Sequence, residues 1–339
     1  MNSDKSASPI SDSHLQPNEF RGKIKRVEAD LPRPLWSVLI PVHNCARYLE
    51  QTLDSVFDQD CGSEQMEIIV IDDFSTKDDP EEVVQKLGAG RVKFIRQAEN
   101  VGKAKNYLTG LNSSRGHLIH LLHGDDLVGE GFYKSMAGAF AQYPGAGAFF
   151  CETEYIDSKG LVKGFSGKES NTLGILDDWL DKLVVAQRIQ TPSIVVRREV
   201  YESLGGFDSR LPYCEDWEMW VRIATSFSFG FNPDVRARYR VHSANTSSQS
   251  VVSGKRARVI RRAVSIMDSY LPAEVVNRCK SERSREMAHY LIRCIPQTVD
   301  ARKPIAWLKL CWETMRYSMR PRVLYYMFIF TARYQRFLR

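Results

Sequence analysis

Long apolar runs are missing from this 339-residue chain. A membrane-spanning helix needs roughly 20 consecutive apolar residues, and the longest candidate, VLYYMFIF at 323–330, is far shorter. Paired cysteines are missing too. The seven cysteines are odd in number and show no CxxC or CxxxH spacing, which argues against a disulfide framework and a zinc site and fits a reducing compartment. The opening stretch MNSDKSASPISDSHLQPNEF has no apolar signal core, and residues 1–33 are expected to form a disordered leader. There is no internal repeat. The net charge of +6 is small, but it is unevenly spread: residues 251–339 hold 19 Lys and Arg against 6 Asp and Glu, so the first 250 residues are net acidic.

What is present is alternation. WSVLIPV (36–42) is a continuous apolar run, followed by a segment in which Leu49, Leu53, Val56 and Phe57 recur at helical spacing, with Asn44 as the expected N-cap. MEIIVIDD (66–73) is a second buried strand. DDPEEVVQKLG is a second helix, with Pro80 at its start and Gly88 at its end. RVKFIRQ, VGKAKNYLTGLNSS and HLIHLL continue the pattern as strand, helix and strand. Strands alternating with short helices predict an α/β fold with a mostly parallel, Rossmann-like sheet flanked by helices. A helix starting at Glu215 and a strand ending at His242 follow, and a domain boundary is placed near 250, before a basic, aromatic-rich helical C-terminal region.

Ligands of open α/β sheets gather outside the carboxyl ends of the strands. Three strands end there in polar clusters: HN at 43–44, DDFST at 72–76 and HGDD at 123–126. Adjacent carboxylates repel, so Asp125 and Asp126 are stable together when hydrogen bonds or a cation hold them. Hard Mg2+ or Mn2+ would suit them, sharing their oxygens with substrate phosphates. Each acid pair also fits a plain helix cap or polar turn. A carboxylate at 72–73 could accept the imide N–H of a uracil ring, and Lys103 and Lys105 could neutralise a diphosphate.

Six segments, from SVLIPVHN through EIIVIDDFSTKDD, NVGKAKNYLTGLNSSRGHLIHLLHGDD, TPSIVVRREVYESLGGFD and EDWEMWVRIA to YRVHSANTS, stand in the order that resembles family 2 glycosyltransferases of the GT-A fold, over roughly residues 36–248. The resemblance implies an inverting enzyme that moves a sugar from a nucleotide diphosphate sugar, UDP-linked on this reading, to a hydroxyl of a glycan or lipid-linked acceptor in cell-surface polysaccharide synthesis. By position it assigns Pro41, His43, Asn44, Asp72, Asp73, Lys105 and Asp125 to the donor, with Asp73 pairing with the base. Asp126, Asp125 and His242 are assigned to a divalent cation (Mn2+ or Mg2+). Asp216, with Glu215 beside it, becomes the general base, and Thr191, Pro192, Ser193 and Trp217 the acceptor wall. His123 stands where the family's acidic motif has its first acid, which departs from a three-carboxylate site.

The tail interleaves aromatic residues with Arg and Lys, so it could meet anionic headgroups at a membrane interface or pack on the acidic body of its own chain. No motif for nucleic acid accompanies the charge. A cytoplasmic enzyme, with a peripheral contact to the inner membrane face through the tail, is the expectation. A nucleotidyltransferase on a related sheet fits less well, because a Gly-rich, Arg-containing phosphate loop is missing near the N-terminus. A catalytically inactive sugar-binding or scaffold protein on the same fold is the alternative.

Overall fold

The computed structural model describes residues 15, 17–28, 32–88, 90–242, 245–300, 302–317, 324–325 and 329. β1 (Trp36–Val42), β2 (Met66–Asp72), β3 (Val92–Arg96) and β4 (Leu118–Leu121) alternate with α1 (Ala46–Phe57), α2 (Pro80–Leu87) and α3 (Lys103–Ser113). The short β5 (Leu127–Val128), α4 (Phe132–Gln142), β6 (Ala146–Ile156), β7 (Val162–Phe165), β8 (Gly174–Ile175) and α5 (Trp179–Val185) follow. Next come β9 (Ile194–Arg197), α6 (Arg198–Leu204), α7 (Glu215–Ala224) and β10 (Ser228–Arg240), and finally α8 (Thr246–Val252), α9 (Arg256–Asp268), α10 (Ala273–Asp300) and α11 (Pro304–Tyr317).

The strands form one sheet in the order β3-β2-β1-β4-β9-β6-β10-β5, with β7 on β6 and β8 on β10. The pairs β2–β3, β1–β2, β1–β4 and β6–β10 are parallel, and β9 runs antiparallel between β4 and β6. Every residue of β1 is buried, because each face of the sheet is covered. Leu39, Ile69, Ile71 and Ile119 enter the core on one face, while Val38, Ile40, Ile68 and Val70 enter the core on the other, as period-two alternation requires. Strand β10 begins at Ser228 and carries a register shift between Asn232 and Arg236, where Pro233 has no N–H for the ladder.

Two expectations about domain limits give way. Residues 17–28 are not a free leader: Ile24 and Arg21 are buried, and Arg21 lies 3.5 Å from Glu218 and 3.8 Å from Asp208. A composition that is polar overall hid two apolar anchors, Leu15 and Ile24, and a cation with partners far along the chain. The boundary near 250 does not separate two cores either. The region beyond it is helical as expected, but Val251, Ile260, Ala263 and Leu291 share one buried cluster with Leu39 and Trp217. Of VLYYMFIF, only residues 324, 325 and 329 fall among those described.

Candidate active site

The acid turn after β4 is held from several sides. Gly124 donates its N–H to Pro41 O at 3.1 Å, which links the turn to the end of β1, and a Cβ at this position would collide with Val42. The buried Arg240 at the end of β10 does most of the rest. Its backbone N–H donates to Asp126 Oδ1 at 2.8 Å, and its Nε donates to Asp125 O at 2.8 Å. Its Nη groups reach Gln51 Oε1 and Asp157 O. Thr52 adds a bond from its hydroxyl to Asp126 O at 2.9 Å.

One ligand atom each from His123, Asp125 and Asp126 falls within 4.8 Å of the others, a grouping fit for a divalent cation. Asp126 Oδ2 is buried without a hydrogen-bond partner, as an oxygen reserved for a cation would be. Burial, with the neighbouring Asp125 charge, pushes the Asp126 carboxyl well above the usual range, while Arg240 opposes it. Burial lowers His123 to about 4, with Lys103 acting in the same direction and Asp125 against it, so its imidazole is neutral at pH 7 and competent as a ligand. His123 therefore joins the acids rather than breaking the motif. His242 stands just behind them: its Nε2 lies 3.0 Å from Asp125 Oδ2, its ring packs on Tyr48, and it is not one of the three grouped residues.

At the far wall, α7 opens with Glu215, Asp216 and Glu218 in its first turn, where the helix dipole favours acids. Cys214 before them has φ 64°, a left-handed backbone uncommon for a side chain with a Cβ. Glu215 is 2 % exposed and 2.5 Å from Lys103 Nζ. Burial raises the Glu215 carboxyl, and Lys103 opposes that rise. Asp216 is half-buried; its Oδ2 accepts from Gln187 Nε2 at 2.5 Å and its Oδ1 from the Trp217 N–H at 2.8 Å.

A cavity of about 350 Å3 connects these parts, and Lys103, His123, Gln187, Thr191, Glu215 and Asp216 are in its wall. His123 faces it while its Nδ1 lies 3.6 Å from Asp126 Oδ2. Buried Tyr107 backs His123, its hydroxyl 2.8 Å from Nε2, and its proton is held by burial and by the fields of Glu215, Asp216, Asp125 and Asp126 together.

Not every residue expected at the site faces it. Asp72 is fully buried and accepts from Ser75 Oγ at 2.6 Å and Arg96 Nε at 2.8 Å, so it holds the loop after β2 instead of contacting a donor. Asp73 spends both oxygens on the N–H groups of Val101 and Gly102, at 2.7 and 3.1 Å. Asn44 is not the cap of α1. Its Oδ1 accepts from Thr76 and Lys77, its φ is 53°, and Asp78 Oδ2 caps Ala46 instead. His43 is exposed beside it, with Nδ1 2.8 Å from Asp73 O. Lys105 is exposed on a separate groove with Leu108 and Phe20, whereas Lys103 reaches the cavity.

Thr191 lines the cavity, but Pro192 and Ser193 are buried behind it, Pro192 O lying 2.9 Å from His120 Nε2. Trp217 is anchored through its Nε1–H to Leu183 O at 2.7 Å and reaches the wall at its edge; Trp220 is wholly core. Sequence reasoning missed Arg240, Gln187 and the wall that α9 and α10 supply through Arg256, Glu286, Met287 and Tyr290. The Arg240 signal was available in YRVH; nothing local marks the others.

Residues 37–204 match the family model described as Glycosyl transferase family 2. An uncharacterized glycosyltransferase of Rickettsia typhi is 28% identical over 224 residues, covering 64% of this chain and 67% of the relative. The minor teichoic acid biosynthesis protein GgaB of Bacillus subtilis is 31% identical over 113 residues, 32% of this chain but 12% of that protein. Among solved structures, S. aureus TarS 1-349 in complex with UDP-GlcNAc has a TM-score of 0.56 at 16% identity, over 83% of this chain and 89% of that one. The mannosyltransferase PcManGT from Pyrobaculum calidifontis, in complex with GDP-Man and Mn2+, has a TM-score of 0.54 at 17% identity, over 88% and 84%. These likenesses give the fold as GT-A, and the match to the family model identifies the chain as a member of glycosyltransferase family 2.

Proposed function

We propose that this cleft transfers a sugar from a nucleotide diphosphate sugar to an acceptor hydroxyl with inversion at the anomeric carbon. The observation that carries the reading is that His123, grouped with Asp125 and Asp126, lines the same cavity as Glu215 and Asp216. A sugar hydroxyl is a poor nucleophile at neutral pH and needs a base as it attacks. Asp216 is the better placed of the two acids, since Glu215 is tied to Lys103. As the acceptor oxygen bonds to the anomeric carbon, the bond to the leaving diphosphate breaks and the proton passes to Asp216.

Asp125, Asp126 and His123 would hold a divalent cation, Mn2+ or Mg2+, which when bound neutralises the charge gathering on the diphosphate. Arg240 fixes that turn, and Tyr107 orients the His123 ring. His43, exposed after β1, stands where the nucleotide would lie, while Asp73 holds the loop at Val101 and Gly102. The similarity to TarS bound to UDP-GlcNAc and to PcManGT bound to GDP-Man supports a nucleotide sugar as donor, and the similarity to the teichoic acid biosynthesis protein GgaB supports a polymer of that kind as acceptor. Donor hydrolysis across several nucleotide sugars, with Mn2+ and with Mg2+, tests the reading. Metal-dependent release of nucleotide diphosphate from one donor supports it; no binding or hydrolysis of any donor overturns it.

No helix among the described residues is long and apolar enough to cross a membrane. Ile305, Leu308 and Trp312 stand 68%, 56% and 60% exposed at helical spacing on α11, with Lys303, Lys309 and Arg316 exposed around them. That pattern supports a peripheral contact with an anionic membrane surface, which would bring a lipid-linked acceptor near.

A further inference from the structure

Beyond Asp216 the cavity is closed by α9 and α10, outside the segment that matches the family model. Arg256, the first residue of α9, is 8% exposed, yet its Nε donates to a neutral partner, Tyr290 Oη, at 2.9 Å. No carboxylate among the described residues is in ion-pair contact with it. Its Nη groups have no described hydrogen-bond partner and are not among the buried polar atoms sealed from solvent without one, so they open on the cavity that the residue lines. Burial opposes the charge on Arg256 and the field of Asp216 supports it, and a guanidinium stays protonated at neutral pH.

A guanidinium out of bulk water and without a bonded anion is costly. Asp216 on the same wall is already engaged by Gln187 and the Trp217 N–H and forms no ion pair with Arg256. The α10 face adds Arg293, exposed at the rim, one turn from Tyr290. Glu286 is the opposing charge on this face, suited to accept hydrogen bonds from hydroxyls. The other cation here, Lys103, is already paired with Glu215.

We propose that the acceptor carries a phosphate group close to its reacting hydroxyl, and that Arg256, with Arg293 at the rim, binds that phosphate. This rests on the transfer reading above. The guanidinium fork matches two phosphate oxygens, and the ligand supplies the anion that the protein leaves out. The site is separate from the donor diphosphate, which belongs to the acid turn across the cavity. A phosphodiester-linked polyol and a lipid diphosphate share this chemistry.

The test titrates glycerol 3-phosphate into the full chain saturated with UDP and Mn2+, with glycerol as the control, by calorimetry. Glycerol 3-phosphate is expected to bind and glycerol to give no signal. Arg256→Met should weaken binding by roughly 10-fold or more, the scale of a lost charge-assisted bond, with Arg256→Lys between. Arg293→Ala, exposed and safe for folding, should weaken it less, and UDP affinity should be unchanged in all three. Tighter binding of a short prenyl diphosphate than of glycerol 3-phosphate would point to the lipid headgroup, and the reverse order to a polyol phosphate chain. Failure of both phosphate probes to bind, or equal affinity in wild type, Arg256→Met and Arg293→Ala, overturns the proposal. If UDP itself fails to bind, the donor reading falls, and the same titrations without UDP still decide whether Arg256 and Arg293 hold phosphate.

Discussion

Lys103 Nζ lies 2.5 Å from Glu215 Oε1, so the first residues of α3 and α7 are joined across the cleft wall. That pair separates the two acids of α7: Glu215 has its countercharge inside the protein, and Asp216 keeps its carboxylate toward the cavity.

Lys103→Met removes the partner of a buried carboxylate, whose other oxygen, Oε2, already lacks a hydrogen bond. A loss of about 1–3 kcal/mol is expected in urea unfolding. Lys103→Met with Glu215→Gln should recover most of it, since no charge is then stranded. A single variant as stable as wild type would show that the pair carries no structural weight.

Asp126→Asn keeps the shape of the acid turn but removes the charge on the unpartnered oxygen. Binding of Mn2+ to the full chain, read by calorimetry, should weaken by at least roughly 10-fold, the scale seen when groups around a metal are lost. His123→Ala should weaken it as well, because the imidazole is one of the three grouped ligands. Unchanged affinity in both variants would remove the cation from this turn.

Stability should fall in acid through His120. Buried between Tyr133 Oη and Pro192 O, its imidazole is lowered by burial from 6.5 to about 4. The unfolded chain takes up this proton near pH 6.5 and the folded chain does not until about pH 4, so folding loses free energy as pH drops through that window. The loss approaches about 3 kcal/mol at the lower end. Urea unfolding of His120→Gln should show a shallower slope over the same range; an identical slope would contradict the assignment.

Trp312→Glu and Ile305→Glu should abolish flotation of the full chain with vesicles rich in anionic lipid, and high salt should weaken wild-type flotation. Equal flotation of wild type and both variants would rule out α11 as the contact.

Much of the fold was legible because local signals and the final packing agree. Pro80 and Gly88 do bracket α2, and the apolar run 36–42 is the fully buried central strand that it resembles. The places of the acids at 125–126 and 215–216 at element ends were also legible, the first pair in the turn after β4 and the second at the start of α7. Long-range partners were not. Asp72 reads like a ligand until Arg96 and Ser75 are seen to bind it, and Arg21 reads like part of a leader until Glu218 is found beside it. The basic tail was read from composition. Composition cannot tell that Arg256 faces inward while Lys309 faces solvent, because that depends on which helix face meets the core.

The central claim is tested most directly with Asp216→Asn. Transfer, measured as release of nucleotide diphosphate in the presence of acceptor, should fall by roughly 100- to 10,000-fold, the usual contribution of a general base. Affinity for the donor, measured by calorimetry on the same protein, should stay within about 2-fold of wild type, since the base contributes to the transition state and not to donor binding. Full transfer activity in Asp216→Asn, with donor affinity intact, would contradict the account.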